Sequence, residues 1–147
     1  MPTEVPFRDE DRARLYALVL RGASGQPPVQ AAVRLAFQVA EVRDWLVRNG
    51  FVPTSDGPDG PSAAVDFRHA MDRLGRPRQA GRASARDGLG EPAKAVLTVA
   101  AGLAGVRTGP LRHAIEGLTP EQARLVAEAV MQAAGYPDAT ADPHGRA

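Results

Sequence analysis

The stretch VQAAVRLAFQVAEVRDWLVRNG, residues 29–50, decides the fold class. Its apolar residues recur every three or four positions, the spacing of one face of an α-helix. Gly50 is suited to end that helix as a C-cap. The periodicity leaves two alternatives open for residues 29–49, namely one long helix or two helices joined by a tight turn. Both alternatives predict a helical core.

Helical spacing recurs on both sides of this stretch and predicts further helices over 9–21, 62–74, 93–104 and 110–116. The last helix has the clearest start. Thr119 and Gln122 have the spacing of a capping box, and Pro120 takes the first helical position. Residues 53–61 are dense in Gly, Pro and Asp and are predicted to form a loop. The predicted class is an all-α, small multi-helix domain.

Composition agrees with a helical core. Hydrophobic residues make up 44% of the chain and charged residues 24%, which is ordinary globular usage. Aromatic residues make up only 5%, so Ala, Val and Leu must build most of the interior, and these small side chains suit close helix packing.

The absence of cysteine excludes disulfides and thiolate sites. The longest apolar run, residues 95–106, is too short to span a bilayer. With no secretory signal evident, we expect a cytoplasmic protein without a membrane partner.

Residues 75–90 divide the predicted helices into two groups. They are rich in Gly and Arg and contain almost no apolar residue, which indicates a flexible linker. The predicted organisation is therefore an N-terminal helical unit (1–74), this linker, and a C-terminal helical segment (91–136). Residues 137–147 have nothing to bury and are predicted to form a frayed tail.

Four residues within 29–50 follow the spacing of a helix-turn-helix pattern, although its turn position usually holds glycine and here holds alanine. With Ala36 at the turn, Ala32 lies four residues before it, Val42 six after and Trp45 nine after. These positions, and the run Val-Arg-Asp-Trp-Leu at 42–46, resemble small bacterial helix-turn-helix regulators. The resemblance implies that the second helix enters the major groove of DNA. The residues facing the groove would be Gln38, Val39, Glu41 and Arg43. The alternative is an uninterrupted amphipathic helix with Trp45 as a core anchor.

Residues 42–67 carry a second, overlapping resemblance. Val-Arg-Asp-Trp-Leu-Val-Arg-Asn-Gly-Phe, followed by Ser55, Asp56, Pro61 and Phe67, is similar to the C-terminal domain of actinobacterial AT-rich-DNA silencers. In that family an Arg-Gly-Arg loop enters the minor groove after the Asn-Gly helix end. Here Gly-Pro-Asp-Gly stands at 57–60 instead. The resemblance therefore implies a helix-loop-helix shape without that family's mode of binding.

A cationic cluster follows at residues 68–86, with six arginines against a single aspartate, although the whole chain has a net charge of only +1. Gly-Arg-Pro-Arg at 75–78 resembles the core of an AT-hook, with Leu74 where a preceding arginine would stand. A flexible cationic segment can bind phosphates without reading sequence. The predicted phosphate contacts are Arg73, Arg76, Arg78 and Arg82. The alternative is a solvated linker in an arginine-rich protein.

Catalytic patterns are not found. His69, His113 and His144 are scattered, and the Walker and dinucleotide-binding glycine loops are absent. The sequence therefore predicts neither an enzyme nor a metal or other cofactor.

Two functions remain. One is a DNA-binding regulatory or accessory protein that contacts duplex DNA through the helix-turn-helix and the arginine-rich linker. The other is a non-enzymatic interaction or structural adaptor whose amphipathic helices bind a partner protein. The C-terminal helices are the predicted surface for a homodimer or a protein partner.

Overall fold

A computed structural model describes residues 9–75 and 88–136. Within these ranges the chain forms seven helices and one two-stranded antiparallel sheet, which confirms the all-α prediction. The helices are α1 (Asp9–Gly22), α2 (Pro27–Gln38), α3 (Ala40–Arg48), α4 (Phe67–Gly75), α5 (Glu91–Leu103), α6 (Leu111–Glu116) and α7 (Pro120–Ala133). The strands are β1 (Thr54–Gly57) and β2 (Gly60–Ala63). No helix in the described ranges is long and apolar enough to cross a bilayer.

Helices α2 and α5 form the centre of the fold. Both are buried on most of their circumference, and α2 packs against α5 and α7. The buried cluster combines residues from before and after the segment 76–87, so α1 to α4 share one core with α5 to α7. Ala, Val and Leu supply nearly all of the buried side chains, as the composition predicts. Because alanine is small, the helix backbones can approach closely.

The capping box of α7 is confirmed. The Thr119 hydroxyl accepts a hydrogen bond from the Gln122 backbone N–H at 3.2 Å, and the Gln122 side-chain oxygen accepts from the Thr119 backbone N–H at 3.2 Å. Each side chain thus satisfies a backbone donor that the first turn of a helix leaves without an intrahelical partner. Pro120 occupies the first helical position, where no N–H is needed.

The predicted turn at Ala36 is wrong. Helix α2 continues through Ala36 to Gln38, and the chain breaks at Val39, which has an extended backbone (φ −103°, ψ 105°). The first of the two alternatives, one long helix, is therefore excluded. Ala36 is fully buried in the core. Its small side chain serves close helix packing and does not accommodate a positive φ at a turn.

The end of α3 follows the predicted C-cap. Gly50 adopts φ +76°, and the Phe51 N–H donates to the Leu46 carbonyl at 2.9 Å. This hydrogen bond turns the chain back so that the Phe51 ring meets the Trp45 ring with 5.4 Å between centroids. A contact of this kind commonly accompanies a glycine C-cap. Trp45 is 1% exposed, so it is a core anchor whatever the outer face of α3 binds.

The predicted loop at 53–61 is a β-hairpin in part, and the helix predicted to start at Ser62 begins at Phe67. The hairpin pairs Thr54 with Ala63, and β2 packs on α1. At the start of α4, Asp66 accepts a hydrogen bond from the His69 backbone N–H at 3.1 Å. That carboxylate satisfies a first-turn donor of α4, which explains why the helix begins there.

Three predictions fall on residues beyond the described ranges. The frayed tail at 137–147 lies outside them, and so does most of the Arg/Gly-rich linker predicted at 75–90. The phosphate contacts predicted at Arg76, Arg78 and Arg82 also lie outside the described residues.

Candidate binding surfaces

The predicted major-groove residues occupy different environments around the α2–α3 junction. Gln38 is the exposed last residue of α2, and Val39 is the half-buried residue between the two helices. Glu41 and Arg43 lie in the first turns of α3, where Glu41 is exposed and Arg43 half-buried. The structure brings Gln38 and Arg43 to one cavity and directs Glu41 to α5.

Glu41 ties the start of α3 to the start of α5. Its carboxylate accepts a hydrogen bond from the Gly90 backbone N–H at 2.8 Å. Gly90 is the N-cap residue of α5, whose first-turn N–H groups attract negative charge. A carboxylate engaged in this way serves the packing of α3 against α5. The bond uses Oε1, one of the two oxygens of this exposed carboxylate.

The Arg43 side chain is 20% exposed, and its Nε donates to the Asp44 carboxylate at 3.1 Å. This bond uses one of the five N–H donors of the guanidinium. Because Asp44 is adjacent, the outer surface of α3 is close to electrically neutral. A neutral surface provides little attraction to the phosphates that dominate the affinity of DNA-binding proteins.

A cavity of 280 Å³ lies where α1 meets the α2–α3 junction, and it is lined by Arg12, Ala13, Tyr16, Phe37, Gln38 and Arg43. Arg12 reaches it from α1, with one terminal nitrogen 3.3 Å from Asp9. The Nε of Arg12 is buried and has no hydrogen-bond partner among the described residues. Two guanidinium groups at one cavity favour an anionic group, because arginine donors match carboxylate and phosphate oxygens.

Tyr16 forms one wall of this cavity. Its ring lies against Phe37 with 5.6 Å between centroids. Burial raises the pKa of the Tyr16 hydroxyl, and the positive charge of Arg34 partly opposes that effect. The hydroxyl therefore stays protonated at neutral pH and can donate a hydrogen bond to a group in the cavity.

The arginines of α4 are Arg68 and Arg73, and both are exposed. Arg73 is the only member of the predicted phosphate-contact set that lies within the described ranges. Elsewhere in these ranges acidic and basic residues nearly balance, because much of the arginine excess of the chain falls within 76–87.

A second candidate surface, made of exposed apolar side chains, lies on the C-terminal helices. The most exposed large apolar side chains of the described residues all lie between positions 111 and 136, with exposed fractions from 46% to 60%. They are Leu111, Ile115, Val130, Met131 and Tyr136. Two of them are on α6, two on α7, and Tyr136 follows α7. We call these five residues the C-terminal apolar set.

Metal binding has no candidate in the structure, since no group of three or more His, Asp or Glu residues that could hold an ion occurs among the described residues. The ring of His69 lies 2.6 Å from Asp66. That carboxylate also caps α4, so the start of the helix accounts for the pair.

Comparisons of the chain with protein families, with curated proteins and with solved structures gave no match. The candidate surfaces therefore rest on this chain's own residues.

Three features of these surfaces were not predicted from the sequence. The Glu41–Gly90 hydrogen bond joins residues 49 positions apart, and no local pattern predicts such a contact. Arg12 was predicted only as part of α1. Because Arg12 lies four residues before Tyr16, the two side chains share one face of that helix, and this spacing is the feature of the sequence that relates Arg12 to the Tyr16 wall of the cavity. The exposed positions of α7 were also not predicted, because they depend on which face of α7 packs against α2 and α5.

Proposed function

We propose that this protein is an interaction or assembly component that binds another polypeptide through α6 and α7. The observation that carries the proposal is the concentration of exposed large apolar residues in one part of the chain, the C-terminal apolar set. Isolated exposed apolar residues are normal on a protein surface, but a local concentration of them marks an interaction site. Methionine and tyrosine, which this set contains, are among the residues enriched at protein interfaces.

The α7 part of this surface is rigidly supported, which favours binding without a large ordering cost. Val126 and Ala129 bury one face of α7 against the core, and the capping box fixes its first turn. The exposed Val130 and Met131 therefore project from a helix that is already formed. A preformed surface loses less conformational entropy on association than a disordered one.

The test uses the chain as bait in an extract of its source organism, together with a differently tagged second copy. The variant Val130→Glu/Met131→Glu places two charges on α7 at members of the C-terminal apolar set. The control Ala17→Glu/Ser24→Glu adds the same charge at two exposed positions in and beside α1. We expect wild type and control to capture one polypeptide in stoichiometric amount. The Val130/Met131 variant should capture at least about ten-fold less, the effect of losing one interfacial anchor. Equal capture by all three proteins, or no capture by wild type, would overturn the proposal.

DNA binding is a second candidate, favoured by the meeting of Arg12 and Arg43 with Gln38 at one cavity. In this hypothesis the cavity receives a backbone phosphate, and the arginines at 73–82 add contacts that do not depend on base sequence. We expect a complex with long duplex DNA at low salt and micromolar protein. Arg12→Ala with Arg43→Ala should weaken it on all sequences alike and reduce the salt slope by about two, nearly one per lost contact. A gel shift showing no complex would remove this candidate.

A further inference from the structure

The outward side of α7 carries apolar residues at the spacing of a helix–helix seam. Ala123, Ala127, Val130 and Ala134 follow one another at intervals of four, three and four residues, and all are exposed. Met131 lies beside them and is also exposed. We call these five residues the α7 seam. Such spacing keeps one stripe facing a partner helix over several turns, as in a coiled coil.

The residues of the seam favour close approach by another helix at its middle. Ala127 is central and small, while Val130 and Met131 provide the larger side chains toward the C-terminal end. In an antiparallel pair of α7 helices the larger residues of each copy therefore oppose the smaller residues of the other. Large side chains facing small ones fill the space between two helices without voids.

The charges beside the seam are self-complementary in the antiparallel arrangement. Arg124 and Glu128 flank Ala127, and within one chain they lie 3.2 Å apart. If a second copy is reversed about Ala127, its Glu128 comes within about 3 Å of Arg124 along the helix axis, at 1.5 Å per residue. The aliphatic stem of Arg124 then covers Met131 of the second copy. A parallel two-fold pair would instead put the Arg124–Glu128 pairs of the two copies on opposite edges of the seam, where neither meets the other.

We propose that a second copy of this chain occupies the α7 seam, forming an antiparallel, two-fold symmetric homodimer centred on Ala127. The inference rests on the interaction function proposed above and names the partner. Antiparallel helices also align their dipoles favourably, with each N-terminus beside a C-terminus. A two-fold interface of this kind uses the same patch on both copies and closes at two subunits.

The absence of cysteine makes the arrangement testable with single engineered thiols. Ala127→Cys lies at the proposed two-fold axis and should form an intermolecular disulfide under mild oxidation. Ala123→Cys should not cross-link to itself, because the two copies of residue 123 would be about 12 Å apart along the axis. That separation exceeds the limit of about 7 Å between Cα atoms for a disulfide. Ala123→Cys mixed with Val130→Cys should form a mixed disulfide, since these positions oppose each other.

Light scattering supplies the second measurement. Wild type should have twice the 15.5 kDa mass of one chain, and Val130→Glu/Met131→Glu should have the mass of one chain with an unchanged circular dichroism spectrum. A monomeric wild type at high micromolar concentration would overturn the homodimer. Efficient self-cross-linking of Ala123→Cys would also overturn it, because that result requires parallel helices or a two-fold axis at residue 123 and not at Ala127. If the homodimer fails while the bait experiment shows loss of a different captured protein, the interaction function stands with another partner. If both fail, neither proposal survives.

Discussion

Trp45→Ala is expected to lower the free energy of unfolding by about 3–5 kcal/mol, as truncation of a large buried aromatic residue does. The ring is 1% exposed and contacts Phe51, so its removal leaves a cavity between α3 and the segment that follows it. Small domains are stable by only about 5–15 kcal/mol. This single change would therefore remove a large part of the total stability.

Urea unfolding followed by far-ultraviolet circular dichroism measures this effect, because Trp45 is the sole tryptophan and its fluorescence is lost in the variant. Trp45→Phe is the matched control. It keeps an aromatic ring against Phe51 and should cost clearly less than the alanine change. A loss in Trp45→Ala no greater than the about 0.5 kcal/mol typical of surface substitutions would contradict the burial of this ring.

Gly22→Ala should also destabilise the protein, although it adds only one methyl group. A Cβ at Gly22 would overlap the carbonyl oxygen of Ala63, so the end of α1 and β2 could not keep their present approach. Backbone displaced by overpacking typically costs about 1–3 kcal/mol. The higher helix propensity of alanine, worth about 1 kcal/mol inside a helix, is not enough to offset the upper part of that range.

Gly75→Ala is the control for this prediction. Gly75 also ends a helix, but a Cβ there meets no described atom within 4 Å. The control should therefore leave stability unchanged or raise it slightly, because alanine restricts the unfolded chain more than glycine does. Equal urea midpoints for the two variants would show that the hairpin does not lie against α1.

Elements governed by local chemistry could be predicted from the sequence. The α7 boundary depends on Thr119, Pro120 and Gln122, which lie within four residues of one another and satisfy the same turn. The end of α3 likewise follows from Gly50 and the packing of Phe51 on Trp45. In both cases the determining contacts are close in the chain, so the pattern of residues specifies the structure.

The break between α2 and α3 could not be predicted in the same way. Leu35, Val39, Val42 and Leu46 keep helical spacing across the break, and no Gly or Pro marks Val39. The direction of α3 is fixed by its contact with α5, including the Glu41–Gly90 hydrogen bond across 49 positions.

The hairpin was missed for a related reason. Its sequence is typical of turns, and its position depends on the contact between Ala63 and Gly22, which only the folded chain brings together.

The candidate surfaces show the same contrast between features set by neighbouring residues and features set by contacts distant in the chain. The local pattern predicted DNA contact for Gln38 and Arg43, but it did not predict the cavity that they line together with Arg12 of α1. Ala123, Val126, Val130 and Ala133 have the spacing of one helix face. The structure separates them, because Val126 is buried and Ala123 and Val130 are exposed. Helical spacing shows which residues share a face but does not show which apolar positions the rest of the chain will cover.

The thiol reactivity of Val130→Cys tests the central claim, that the exposed apolar surface of α7 is covered by another polypeptide when the protein functions. The cysteine-free chain allows one thiol at a time, and Ala17→Cys on the exposed side of α1 gives the matched control. Both variants are expressed in the source organism and exposed to a membrane-permeant maleimide before and after denaturation. In native cells we expect the thiol at position 130 to react at least about ten-fold more slowly than the thiol at position 17, as a site opened only by dissociation does. After denaturation the two thiols should react at the same rate. Equal rates in native cells would mean that this surface faces solvent and would contradict the account.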